Sequence, residues 1–201
     1  MIKKIAIGFL FFMGSYNKDI LLPILKKEDI PECYRNTPIE KFLCYHNLNH
    51  PFDLYEKAEI LALMCMDYRK MLNLPENFAY IIRNSGAKIK GVTFALSFAV
   101  AVAGINTIAV IGHSDCKMIN VKRHRAAFVK GLMRHGWKRQ RADKLFSKMY
   151  LQFEIKDEIE SIVTETKKLR SQYPKTQIVP LYYKVKDKSL CLVIEDRLQY
   201  T

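Results

Sequence analysis

Two short apolar runs constrain the fold most, because each has the length and composition of a buried strand. The first run predicts a strand from Ala58 to Cys65, and the second, TIAVIGH, predicts a central strand from Thr107 to His113. Helical patterns lie between and after these runs. Strands that alternate with helices favour an α/β fold with a mostly parallel central sheet flanked by helices.

Turn signals and periodicity predict the remaining elements. They are a helix from Pro38 to about Tyr45 capped by Asn36 or Thr37, a short helical segment near Tyr68–Leu74, a strand at Phe78–Arg83, a buried helix at Gly91–Gly104 and three helical stretches within Val121–Tyr173. Two last runs, QIVPLYYKV and SLCLVIED, predict a C-terminal strand pair joined through Lys186–Lys188. Pro180, inside the first of them, indicates an edge position or a bulge.

The positive charge is concentrated in one stretch of the chain. Eleven Lys or Arg and one acid, Asp143, lie between Lys117 and Lys148, which is an excess of 10 out of a net charge of +13. Apolar residues such as Phe128 and Leu132 recur there with amphipathic helical spacing, so the cations are best explained as solvated helix faces. An anionic partner is the alternative; nucleic acid is not expected.

The cysteines argue against a disulfide framework. Five are present, at positions 33, 44, 65, 116 and 191, and they form an odd set without even spacing. Free or metal-bound thiols fit this pattern better.

Three side chains with metal-binding atoms lie at, or just after, the ends of the two apolar runs. Cys65 ends the first strand, His113 ends the second, and Cys116 lies one turn after His113. Ligand sites of parallel α/β sheets lie beyond the carboxyl ends of the strands. Each residue alone has a simpler explanation, as a small core thiol or a hydrogen-bonded histidine. Together, two thiolates and one imidazole are a suitable ligand set for tetrahedral zinc with an open fourth position.

An acidic and a positively charged side chain, those of Asp67 and Arg69, follow Cys65. If the chain stays extended past Cys65, then Asp67 and Arg69 point to the same side as Cys65. Taken alone, this pair would be an ordinary ion pair.

The segments CMDYR, RNSGA and GHSDC, in that order, resemble the three signature segments of the β-class carbonic anhydrases. The resemblance covers roughly Ala58–Asp196. It is strong to Met118, weak through the basic helices, and moderate again at PLYYKVKDKSLCLV, which is similar to the closing strand pair of the family.

The resemblance implies a zinc enzyme that is a homodimer or a higher multiple, with Arg83–Ala87 near the active site and the subunit contact. The implied zinc ligands are Cys65, His113 and Cys116, and the implied catalytic dyad is Asp67 with Arg69.

The expected reaction is the reversible hydration of CO2 to bicarbonate. Zinc lowers the pKa of bound water from about 15.7 toward about 7, so a zinc-bound hydroxide is available to attack CO2. Two thiolates offset the positive charge of the metal, so the bound water should be less acidic than with three imidazole ligands. A carboxylate that forms a hydrogen bond with the hydroxide therefore becomes important. Arg69 would orient Asp67 for this task and keep it off the metal. The resemblance implies that some family members have a closed form in which this aspartate ligates zinc.

Three positions bear on activity. Lys117 stands where the family usually has glycine, and Tyr68 stands where it more often has a small residue, so both could affect access to the metal. His124 is a candidate proton carrier, although a histidine within KRHR is more simply a surface residue. Two alternative functions stay open: hydrolysis of CS2 or COS on the same zinc site, and a non-catalytic zinc protein whose basic helices dock an anionic partner.

The amino terminus leaves the compartment open. Two lysines followed by the apolar stretch Ile5–Met13 resemble a secretory leader, but Met13 could equally be the true start. We therefore divide the chain into a possible leader or misassigned start at 1–20, an N-terminal helical arm at 21–57 and a zinc-binding α/β catalytic domain at 58–201. The expected location is cytoplasmic, or periplasmic or secreted if residues 1–14 act as a leader. No segment is expected to span a membrane.

Overall fold

A computed structural model describes residues 20–195. The predicted leader lies outside these residues, and so does the end of the second closing strand. The core is a six-stranded sheet in the order β1-β6-β5-β4-β2-β3. The strands are β1 (Leu21–Pro23), β2 (Ile60–Cys65), β3 (Ala79–Asn84), β4 (Thr107–His113), β5 (Gln177–Lys184) and β6 (Ser189–Val193).

The sheet is mostly parallel, as predicted. Strands β3, β2, β4 and β5 run parallel to one another, and β6 and β1 are antiparallel to their neighbours. The α-helices are α1 (Pro38–Leu48), α2 (Thr93–Ala101), α3 (Arg125–Arg134), α4 (Arg139–Phe153) and α5 (Glu158–Gln172). None of the helices within residues 20–195 combines the length and the apolar character needed to cross a bilayer.

The buried strands divide their side chains between two cores, because successive residues of a strand point to opposite faces. Ala62 and Met64 of β2 pack on the side of α1, whereas Leu61 and Leu63 pack on the side of α2 and α5. Helices therefore cover both faces of the sheet, which confirms the predicted fold class.

The segment before β2 contributes more than the predicted helix. Helix α1 begins after Thr37, whose side chain accepts a hydrogen bond from the backbone N–H of Ile39, as expected for one of the two proposed caps. Strand β1 was not predicted; it pairs antiparallel with β6, with Leu22 opposite Leu192.

The short helix predicted near Tyr68–Leu74 is wrong. The chain turns after β2 because the Asp67 carboxylate accepts a hydrogen bond from the backbone N–H of Arg69, at 3.0 Å. Such local side-chain bonds to the backbone compete with helix formation. The chain also does not stay extended past Cys65, so strand periodicity is not what aligns Asp67 with Arg69.

The helix predicted to be buried at Gly91–Gly104 is only partly so. Helix α2 buries Leu96 and Ala99 against the sheet. Phe94, Phe98 and Val102 lie on its outer side, and Phe94 is 83% exposed. Its uniform apolar composition therefore does not mean that it is buried all round within a single chain.

The edge position predicted from Pro180 is also wrong. Strand β5 lies between β4 and β6, in the interior of the sheet. Proline is accommodated there because the register with β6 begins one residue later, at Leu181 opposite Leu192.

The basic stretch forms two helices that pack on each other. The rings of Phe128 in α3 and Phe146 in α4 lie 5.2 Å apart, and Arg125 pairs with Asp143 at 2.7 Å. Most of the other cations in this stretch are exposed, as the amphipathic pattern predicted.

Candidate metal centre

The three predicted metal-binding side chains meet at one end of the sheet. Cys65 is the last residue of β2 and His113 is the last residue of β4, and these strands are adjacent and parallel. Cys116 lies in the loop that follows β4. The potential ligand atoms of these three residues all lie within 4.8 Å of one another, and all three residues are buried.

Helix α5 approaches the end of β4 closely because residue 112 is glycine. A Cβ atom at Gly112 would lie 2.2 Å from Cδ1 and 2.4 Å from Cγ1 of Ile162. A larger side chain at this residue, which directly precedes His113, would therefore force the Ile162 side chain or its surroundings to move.

The orientation of His113 leaves one ring nitrogen available. Its Nδ1 lies 2.9 Å from the backbone carbonyl oxygen of Ser114 and donates to it, which fixes the tautomer. Its Nε2 is buried and has no hydrogen-bond partner within the described part of the chain. A buried acceptor without a partner is costly, and a metal ion would satisfy it.

The two thiols are coupled. The Cys116 thiol is the main reason that the pKa of Cys65 falls below its usual value, and burial opposes this shift. The same contact, together with burial, raises the pKa of Cys116. A divalent cation would displace the thiol protons, because metal ligation requires thiolates.

These donor atoms fit zinc. Two sulfur atoms and one imidazole nitrogen match the ligand types that zinc prefers, and three protein ligands leave the fourth tetrahedral position open. Beside the three residues lies a cavity of about 10 Å3, lined also by Glu158 and Ile162 of α5. It has room for about one water molecule.

Asp67 and Arg69 form a bidentate ion pair next to this centre. Arg69 Nε lies 3.0 Å from Oδ1 and Nη2 lies 2.7 Å from Oδ2 of Asp67. These bonds are the main reason that the pKa of Asp67 lies below its usual range. The carboxylate is therefore ionised and held in one orientation.

Arg69 also binds a second acid that the sequence reasoning did not assign. Its Nη1 lies 2.6 Å from Oδ2 of Asp115, and its Nη2 lies 2.9 Å from the Asp115 carbonyl oxygen. Asp115 precedes Cys116, so one guanidinium joins the loop after β2 to the loop after β4. The sequence feature that could have identified Asp115 is its position within the segment GHSDC.

Glu158 is another residue that was missed. Its Oε1 accepts a hydrogen bond from the Cys116 backbone N–H at 2.9 Å, and its Oε2 accepts one from the Tyr182 hydroxyl at 2.7 Å. Glu158 thus fixes the backbone at the second thiol. No local pattern pointed to it, because it lies where the motif resemblance is weak.

The side chains of Lys117 and Tyr68, the two residues expected to affect access to the metal, are exposed. The Lys117 side chain is 65% exposed, with Nζ 3.9 Å from Oδ1 of Asp115. Tyr68 is 87% exposed. His124 accepts a hydrogen bond at Nε2 from Nε of Arg123, at 3.2 Å. Its role as a proton carrier stays a prediction.

Comparison with known proteins places this centre within a recognised fold. A sequence model of the family described as carbonic anhydrase matches residues 60–190. No curated protein gives a significant match.

Three solved structures are similar in fold. A carbonic anhydrase from Glaciozyma antarctica is 24% identical, with a TM-score of 0.56, over 69% of this chain and 84% of that one. The β-carbonic anhydrase isoform I from Trichomonas vaginalis is 17% identical, with a TM-score of 0.59, over 73% and 89%. An apo form of a carbon disulfide hydrolase is 19% identical, with a TM-score of 0.55, over 72% and 85%.

Proposed function

The chain belongs to the β-class carbonic anhydrase family, and on this basis we propose that it catalyses the reversible hydration of CO2 to bicarbonate with a zinc ion held by Cys65, His113 and Cys116. The observation that supports this proposal best is His113: its buried Nε2 has no hydrogen-bond partner within residues 20–195, and the potential ligand atoms of His113, Cys65 and Cys116 all lie within 4.8 Å of one another.

The metal and the protein contribute different parts of the chemistry. Zinc, when bound, supplies a Lewis acid that makes water reactive at neutral pH. His113 offers a fixed lone pair because Ser114 holds its other nitrogen. Glu158 and Arg69 hold the loop of Cys116, so the ligand geometry is set before the metal binds.

Asp67 has the role of orienting the attacking water. Both of its oxygens accept hydrogen bonds from Arg69, so the carboxylate cannot rotate freely, yet each oxygen keeps a lone pair for a further hydrogen bond. The ionised carboxylate accepts a hydrogen bond from the attacking water or hydroxide and so aims its oxygen at the carbon of CO2; the proton released when the water becomes hydroxide goes to solvent and not to Asp67, whose pKa lies below its usual range. The same ion pair opposes movement of Asp67 onto the metal.

The direct test is stopped-flow CO2 hydration on protein whose zinc content has been measured. We expect about one zinc per chain, in keeping with the three-ligand site, and turnover well above the rate in buffer. The variant Cys33→Ser is a suitable control, because Cys33 is an exposed free thiol outside the site. Zinc-loaded protein without turnover would contradict the proposed reaction.

A second candidate is hydrolysis of CS2 or COS on the same zinc. One similar structure is named as a carbon disulfide hydrolase, and pocket access rather than ligand identity would separate these substrates. Parallel turnover assays on CO2, CS2 and COS distinguish the two activities. Zinc without turnover on any of the three gases would favour the non-catalytic alternative.

We also propose that two copies of the chain associate through α2. Phe94 and Phe98 of α2, and Val102 directly after its last residue, are spaced four residues apart and so lie on one face, which is exposed and apolar. Light scattering should give twice the chain mass of 23.5 kDa. The variant Phe98→Glu should shift the protein toward monomer, whereas Leu151→Glu, at an exposed apolar residue of α4, should not. A monomeric wild type would refute this interface.

A further inference from the structure

A fully buried lysine lies beside the metal centre and has no part in the mechanism above. Lys70 follows Arg69 directly, and its relative exposure is 0%. Its Nζ donates a hydrogen bond to the Asp67 carbonyl oxygen at 3.1 Å, and this is the one hydrogen bond of that ammonium within the described residues.

A buried ammonium normally requires a paired anion, since removing a charge from water is costly. Within residues 20–195, no carboxylate forms an ion pair with the Lys70 ammonium. Burial lowers the pKa of Lys70, and the negative charges that oppose this shift are those of Cys65, Asp67 and Cys116; Arg83 is the nearby cation. The acidic groups whose charges act on Lys70 are therefore those of the candidate centre.

Lys70 and Arg83 both donate hydrogen bonds to backbone carbonyl groups of the turn that follows β2. Nη2 of Arg83 donates to the Lys70 carbonyl oxygen at 2.8 Å, and its Nη1 lies 3.4 Å from the carbonyl oxygens of Cys65 and Asp67. Three carbonyl groups between the first ligand and Lys70, those of Cys65, Asp67 and Lys70, thus accept hydrogen bonds from these two cations. This turn also presents the Asp67 carboxylate to Arg69.

We propose that Lys70 is a positioning residue of this enzyme: its buried side chain holds the turn of Asp67 through the hydrogen bond that Nζ donates to the Asp67 carbonyl oxygen. The catalytic part of this inference rests on the proposed function, because it concerns the orientation of Asp67 during CO2 hydration. The hold on the turn is a property of the chain alone.

The test compares Lys70→Met, which removes both the charge and the donor, with Lys70→Gln, which removes the charge and keeps a donor. Lys88→Met is the control, because it removes another largely buried ammonium, which pairs with Glu165 at 3.6 Å. For Lys70→Met we expect kcat to fall about 10- to 100-fold, as for other residues that orient a metal site, with KM and zinc content little changed. Lys88→Met should lose stability but keep kcat.

Hydrogen exchange of the whole chain gives a readout that does not depend on activity. Peptides that span Cys65–Met71 should exchange faster in Lys70→Met than in wild type, and Lys70→Gln should restore part of this protection. If Lys70→Met does not fold, Lys70→Gln still tests the charge through kcat.

Two outcomes separate this inference from the proposed function. Unchanged kcat and unchanged exchange in both Lys70 variants, with an active zinc-loaded wild type, would overturn the role of Lys70 alone. If the wild type neither binds zinc nor hydrates CO2, the proposed function fails together with the catalytic part of the inference. In that case, faster exchange in Lys70→Met still supports the hold on the turn, and unchanged exchange refutes it.

Discussion

The variant Asp67→Asn should lose CO2 hydration by about 100-fold or more while its zinc content stays equal to that of the wild type. The amide is nearly the same size as the carboxylate, but it carries no charge and offers one acceptor oxygen in place of two. Arg69 would keep only part of its bidentate bond, and the attacking water would lose an ionised acceptor. Stopped-flow kinetics and metal analysis on the same sample measure both quantities.

The chain supplies a matched control for this variant. Asp143 accepts a bidentate bond from Arg125 at 2.8 and 2.7 Å, on exposed helices away from the three ligands. Asp143→Asn therefore breaks the same kind of ion pair, and it should leave turnover unchanged. If Asp67→Asn is as active as wild type, Asp67 has no part in the mechanism; if its zinc is lost, the aspartate supports metal binding instead.

The second large effect is expected from Cys65→Ser, which should lose both most of the bound zinc and the turnover that depends on it. A serine hydroxyl is a poor replacement for a thiolate as a zinc ligand, and only His113 and Cys116 would remain. Metal analysis after dialysis against a weak chelator measures the loss.

Cys44→Ser is the control for that experiment. Cys44 is a buried free thiol like Cys65, but it lies in α1, which packs on the sheet away from the three ligands. It should keep its zinc, although it will lose some stability. Stoichiometric zinc in Cys65→Ser would show that the metal is held by other residues.

The central part of the fold was predictable because its signals are local. The apolar runs of β2 and β4 have the length of buried strands, and their carboxyl ends must lie at one edge of a parallel sheet. The amino-acid pattern alone therefore predicts that Cys65, His113 and Cys116 lie close together. The pairing of Asp67 with Arg69 is also predictable, but the geometry that produces it is a turn and not an extended strand.

What the sequence did not predict depends on contacts between distant parts of the chain. Strand β1 has three residues and becomes recognisable only through its pairing with β6. The bond of Arg69 to Asp115 spans 46 positions, and that of Glu158 to Cys116 spans 42. Lys70 is a similar case, since a lysine next to an ion pair gives no local sign that it is fully buried.

The close approach of α5 to β4 restricts how this protein can change over evolutionary time. The Ile162 side chain of this helix lies where a side chain at position 112 would begin, so even one added methyl group would collide with it. Descendants of this chain that lose the glycine would need a smaller residue opposite it, acquired beforehand or at the same step. Residues 112 and 162 should therefore co-vary. A poor fit between them would shift His113, which follows Gly112 directly.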